Sequence, residues 1–184
     1  MIDVDSDMST SDTMLIFANG VAGGSMISAG QPVAQQFEAA LLQMCTAIAR
    51  DLARDGEGAR TLIEVTCTNA ASEQDARLVA RTVVSSPLVK TMVTGRDPNP
   101  GRVLMAAGRS GADVDASKIS VWIGSAVAFQ SGAPTDTPYE ALRQAMMTDE
   151  LKLVVDLGLG NSSATAWGCD LTEDYVRINA SYTT

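Results

Sequence analysis

Between Pro32 and Arg54, the residues Phe37, Leu41, Met44, Ile48 and Leu52 recur at spacings of 4, 3, 4 and 4. That spacing lines them up on one stripe of an α-helix, and Asp55-Gly56-Glu57-Gly58 stops it. Immediately afterwards the period changes. In "TLIEVTCT", Ile63, Val65 and Cys67 alternate with Leu62, Glu64, Thr66 and Thr68, as in a strand. "LKLVVDL" alternates the same way through Leu151, Leu153, Val155 and Leu157. A chain carrying both periods folds as mixed α/β.

The remaining segments fill in that class. "TMLIFAN", residues 13 to 19, reads as a buried strand followed by a Gly-rich turn. Ser72 with Asp75 three residues on is a capping-box-like start for a helix through Val84. Pro87 opens a short helix through Lys90 and Thr91. "GRDPNPGRV" is turn-rich, and "VLMAAGRSG" fits helix or strand equally. Lys118 to Gly124 reads as a strand, 125 to 137 as loop, and Pro138 to Met147 as a helix. Two closing strands are expected, Ala164 to Asp170 and Tyr175 to Ala180. With no repeat or long linker, the expectation is one domain over residues 1–184, its strands grouped in hairpins more than alternating with helices.

Composition narrows the chemistry. The net charge is -9 and no Lys/Arg cluster offsets it, so nucleic acid is not an expected partner. No stretch approaches the ~20 apolar residues of a membrane span. The acidic start, "MIDVDSDMSTSD", is unlike a signal peptide, and Cys45, Cys67 and Cys169 are scattered, as in a reduced cytoplasmic protein. There is no histidine, so no Ser-His-Asp triad or Cys-His pair can be assembled from these residues. Carboxylates, hydroxyls or a terminal amine must do any acid–base work.

Four stretches invite a functional reading. In "RDGEGA", Glu57 stands between glycines that permit close approach of a ligand; the alternative is a solvated loop that ends a helix. "SSPLVKT" offers Lys90, or merely a surface lysine near a helix start. "GLGNSSA" lacks the rest of a dinucleotide fingerprint. The closing "ATAWGCDLTEDYVRINASYTT" keeps aromatic and apolar residues almost to its last position. It is either an edge strand that stops there or a segment tucked into a site.

Taken together, "DSDMSTSDTMLIFANG", "RDGEGARTLIEV", "SSPLVKT", "GRDPNPGRV" and "ATAWGCDLTEDYVRINASYTT" resemble, in order and over nearly the whole chain, the ornithine acetyltransferases, or glutamate N-acetyltransferases. The resemblance implies a mixed α/β sandwich shared by α and β chains, akin to N-terminal nucleophile enzymes. It implies acetyl transfer from N-acetylornithine to glutamate through an acetyl-threonine, in arginine biosynthesis. The threonine arises by self-cleavage of a precursor, and no cofactor is involved. Glu57 matches a family glutamate that contacts substrate near the nucleophile, which implies a catalytic and binding role. Asn179 and Thr184 match two further substrate contacts. Pro100 departs from the tryptophan usual after "DPN". The nucleophile segment is also missing, because "DTML" at Asp12 to Leu15 fits the later "STSDT…LIFANG" strand instead. The chain therefore resembles the C-terminal, β-chain portion without its catalytic threonine. The implied partner is the N-terminal α chain with the nucleophile-bearing segment, in an oligomer of αβ units.

Overall fold

The computed structural model describes residues 1–181. Among them the elements run β1 (Ile2–Asp3), α1 (Pro32–Arg54), β2 (Leu62–Ala70), α2 (Glu73–Val84), α3 (Pro87–Thr94), α4 (Pro100–Gly108), β3 (Ser120–Ile123), β4 (Ala126–Gln130), β5 (Ala133–Pro134), α5 (Tyr139–Ala145), β6 (Glu150–Asp156), β7 (Ser162–Cys169) and α6 (Glu173–Ser181). The seven strands form one mixed sheet in the order β1-β7-β2-β6-β3-β4-β5. β1 is parallel to β7 and β2 is parallel to β6, while the remaining neighbours are antiparallel. The mixed α/β class expected from the two periods is the one observed.

The alternation in the strands decides which face is covered. Ile63, Val65 and Cys67 of β2, Leu151, Leu153 and Val155 of β6, and Ala166 of β7 point to one side and are buried. There they pack with Val79 and Val83 of α2, Val89 and Val93 of α3, and Val103 and Ala107 of α4. Local signals build these helices. Ser72 Oγ accepts the amide of Asp75 at 3.1 Å, and Asn99 Oδ1 accepts that of Arg102 at 3.3 Å. Pro87 and Pro100 occupy the first turns of α3 and α4, where no amide is needed.

The opposite face is only partly covered. Thr66 meets Thr165 at 3.0 Å, and Trp167 Nε1 donates to Glu64 Oε2 at 2.9 Å. Trp122 and Val154 lie half-buried beside them. The last turn of α1 covers one corner, where Ala53, Leu62 and Cys169 are buried and Arg50 and Arg54 pair with Glu150. Towards the start of α1 the stripe is more open: Phe37 is 60% exposed and Met44 62%, with Leu41 half-buried between them.

Three expectations are corrected. Residues 13–19 are irregular rather than a buried strand, and Phe17 is 87% exposed. An apolar run becomes a strand only where a neighbour completes its ladder, and the described sheet offers it none. Residues 126–130 are strand β4, not loop, because Gly124-Ser125 form a two-residue hairpin between Ile123 and Ala126. Tyr175 to Ala180 is helix, not strand. Thr172 Oγ1 accepts the Tyr175 amide at 3.4 Å, and Glu173 and Asp174 fill the first turn, where the helix dipole favours acids.

Candidate functional site

Glu57 and Asn179 are 122 positions apart in sequence, yet Asn179 Nδ2 donates to Glu57 Oε2 at 2.6 Å. Both side chains are exposed on the surface between the loop after α1 and helix α6. The same Asn179 nitrogen donates to the Tyr175 carbonyl at 3.0 Å, one helical turn back. A fixed carboxylate beside a fixed amide can take a ligand's ammonium and a ligand's polar groups together.

The loop that presents Glu57 is tightly built. Gly58 has φ +69, and a Cβ there would lie 2.6 Å from the Tyr175 nitrogen and 2.9 Å from the Asp174 carbonyl carbon. Gly56 is crowded by side chains instead, since its Cβ would meet Cys169 Sγ at 2.6 Å and Val4 Cγ1 at 3.0 Å. Of the two glycines of "DGEGA", Gly58 is the one that close backbone approach and a positive φ require. Thr172 Oγ1 donates to the Gly58 carbonyl at 2.8 Å, tying the loop to the start of α6. Next in sequence, the amides of Arg60 and Thr61 donate to Asp170 Oδ1 at 2.8 and 2.9 Å. Arg60 also pairs with Asp174 at 2.6 Å, and this hydrogen bond holds the Asp174 carboxyl below its ordinary range.

A second wall comes from the N-terminal segment. Tyr175 donates its hydroxyl to Asp5 Oδ2 at 3.0 Å. Burial first, then that hydrogen bond and the nearby charges of Asp5, Glu57 and Asp7, push the Tyr175 phenol above its ordinary value. Asp5 and Glu57 bring negative charge to this surface, while Asp174 is offset by Arg60 and by Arg177 at 3.0 Å. Among the described residues no group of three or more His, Cys, Asp or Glu is arranged to hold a metal ion, and no helix is long and apolar enough to cross a membrane.

Of the residues singled out in the sequence, Glu57 and Asn179 are brought together, while Thr184 lies outside the described residues. Lys90 is not a surface lysine. It is 2% exposed and donates to three backbone carbonyls. Tyr175, Asp5 and Thr172 frame the site and were not anticipated. The Thr172-Glu173-Asp174 cap was the available signal for the last of these and for the helix it starts. Cys67 is inert, its thiol pushed up to about 12 by burial.

Comparison with known proteins agrees with this architecture. A crystal structure of the arginine biosynthesis bifunctional protein argJ from Bacillus halodurans superposes with a TM-score of 0.94 at 43% identity, covering 98% of this chain and 85% of that one. The curated arginine biosynthesis bifunctional protein ArgJ of Dehalococcoides mccartyi is 44% identical over the whole chain, and that of Symbiobacterium thermophilum 45%. The chain spans about half the length of these relatives, 45% and 46%. The ArgJ family pattern matches residues 1–184. With its sequence matched throughout and its fold superposed on a solved relative, the chain belongs to the ArgJ family.

Proposed function

We propose that this chain forms the substrate-binding part of an acetyltransferase that moves an acetyl group from N-acetylornithine to glutamate, with the threonine nucleophile supplied from outside residues 1–184. The observation that carries the reading is the meeting of Glu57 and Asn179 at 2.6 Å. Membership of the ArgJ family supports it, as do the names of the relatives, which place them in arginine biosynthesis.

The chemistry suits the residues. The threonine hydroxyl attacks the acetyl carbonyl of N-acetylornithine; its proton passes to the departing amine as the C–N bond breaks, and ornithine leaves. The glutamate amine then attacks the acetyl-threonine ester, and the threonine oxygen regains a proton. A covalent intermediate divides one hard transfer into two easier ones. A terminal amine on the threonine serves as base, which a chain without histidine requires from elsewhere. Glu57 takes a substrate ammonium or assists proton transfer, Asn179 orients both Glu57 and substrate, and Thr184 adds a contact five residues on.

The exposed apolar groups support a partner. Leu15, Ile16, Phe17, Phe37, Leu42 and Met44 are all at least 60% exposed. Large apolar side chains left open in this number fit an interface, and the occupant we propose is the remainder of the same enzyme, in αβ units. The test is an assay of the complete protein with N-acetylornithine, with and without glutamate. Ornithine release that depends on glutamate supports the transferase. Release in water alone indicates an amidase of the same architecture, and no release at all leaves an assembly role. The 184-residue chain by itself is expected to be inactive.

A further inference from the structure

Helix α3 carries a lysine whose ammonium is almost wholly withdrawn from water. Lys90 is 2% exposed, and its Nζ donates to the carbonyls of Val4 at 2.8 Å, Cys169 at 2.9 Å and Asp3 at 3.2 Å, with Asp3 Oδ1 at 3.3 Å. Burying a charge is costly unless each of its hydrogens finds a partner, and here all three do. Gly168 leaves room for this, since a Cβ there would lie 2.5 Å from the Asp3 carbonyl oxygen and 3.3 Å from Nζ.

What the ammonium grips leads to the Glu57 surface by two routes. The Val4 carbonyl belongs to the peptide that precedes Asp5. Asp5 accepts the Tyr175 hydroxyl at 3.0 Å, the Tyr175 carbonyl accepts Asn179 Nδ2 at 3.0 Å, and Asn179 donates to Glu57 at 2.6 Å. The Cys169 carbonyl belongs to the peptide that precedes Asp170, whose carboxylate holds the amides of Arg60 and Thr61 just past the Glu57 loop. One turn along α3, Thr94 Oγ1 donates to the Leu171 carbonyl at 2.7 Å, between Asp170 and the Thr172 cap of α6.

We propose that Lys90 is a positioning residue for the substrate-binding surface, setting the Glu57–Asn179 pair through Asp5 and Tyr175. The proposal rests on reading that surface as the substrate site. Lys90 touches no substrate itself; it joins β1, the end of β7 and α3 at one point, so that the first turn of α6 and the Glu57 loop inherit a common frame.

The experiment uses the complete protein, with steady-state acetyl transfer and amide hydrogen exchange measured on Lys90→Met, Tyr175→Phe and the double variant. Tyr175→Phe leaves the buried ammonium intact and cuts the route beyond it. Its KM for N-acetylornithine should rise about fivefold while kcat stays within about twofold, the effect of one lost hydrogen bond. Lys90→Met should raise KM by about tenfold or more, and the double variant should be no worse than Lys90→Met, because both changes break the same route. Exchange should accelerate at residues 56–61 and 174–180 in each variant. An unchanged KM in Tyr175→Phe, or effects in the double variant that simply multiply, overturns the proposal. If Lys90→Met does not fold, Asp5→Ala takes its place with the same expected rise in KM, and an unchanged KM again overturns it. If the parent protein transfers no acetyl group, the assigned function fails. The exchange data then still decide the coupling, since unaltered protection at 56–61 and 174–180 refutes it.

Discussion

Replacing Gly58 by alanine adds a single methyl group at the tightest point of the site. Two penalties follow. At φ +69 an L residue is strained by about 1 kcal/mol relative to glycine. The new Cβ also lies 2.6 Å from the Tyr175 nitrogen and 2.9 Å from the Asp174 carbonyl carbon. These are backbone atoms of a helix and cannot rotate aside, so the overlap costs a further ~1–3 kcal/mol. The total is roughly 2–4 kcal/mol, or a fall of roughly 4–16 °C in Tm for a melting unit of this size and less for a longer one. The other escape is for α6 to move away, which breaks the 2.8 Å Thr172–Gly58 bond and parts Asn179 from Glu57; KM for N-acetylornithine then rises instead. Thermal melting and steady-state kinetics on the complete protein capture both outcomes. Gly108→Ala is the control: nothing lies within 4 Å of its Cβ and it sits in α4, so that variant should be neutral or slightly more stable. A Gly58→Ala protein that melts with the parent and binds substrate equally well refutes the packing argument for this loop.

Glu57→Gln keeps the acceptor that Asn179 needs but removes the charge, so Tm should hold while turnover falls by roughly 10²–10⁴ if Glu57 moves a proton; unchanged kinetics would return it to a solvated loop residue. Asn179→Ala and Thr184→Ala should each raise KM several-fold, worth on the order of 1 kcal/mol per polar contact, with circular dichroism unchanged; parent-like KM values would remove both from the site. The native Cys67 thiol, pushed up to about 12 by burial, stays protonated where an unfolded thiol ionises near 9. The native state thus holds more protons between about pH 9 and 12, and stability present below pH 9 is lost as pH rises through that window. Cys67→Ala should flatten this fall in denaturant titrations, and an identical alkaline slope would refute the assignment.

What the sequence revealed divides along a physical line. Helices α1, α2 and α3 were legible because their signals are local: a stripe, a Ser72 cap, a proline in the first turn. The strands β2 and β6 were legible because one face is buried and alternation records it. Residues 13–19 misled because an apolar run says nothing about whether a neighbouring strand exists. Helix α6 misled because Val176, Ile178 and Ala180 alternate with Tyr175, Arg177 and Asn179 as in a strand, which concealed the Thr172 cap before it. The Glu57 loop drew attention through its glycines and Asn179 through the resemblance alone; the hydrogen bond that joins them is visible only in the fold. The burial of Lys90 was beyond reach, since its partners lie 79 to 87 positions away.

In the proposed division of labour, these residues bind the substrate while the attacking threonine lies elsewhere in the enzyme. Rapid quench of the complete protein with N-acetylornithine and no glutamate, followed by peptide mass spectrometry, tests it directly. The account predicts one added acetyl group on a threonine outside residues 1–184, accumulating in the parent and reduced in Glu57→Gln. An acetyl group on a residue within this chain, or transfer that proceeds with no acetylated threonine, contradicts it.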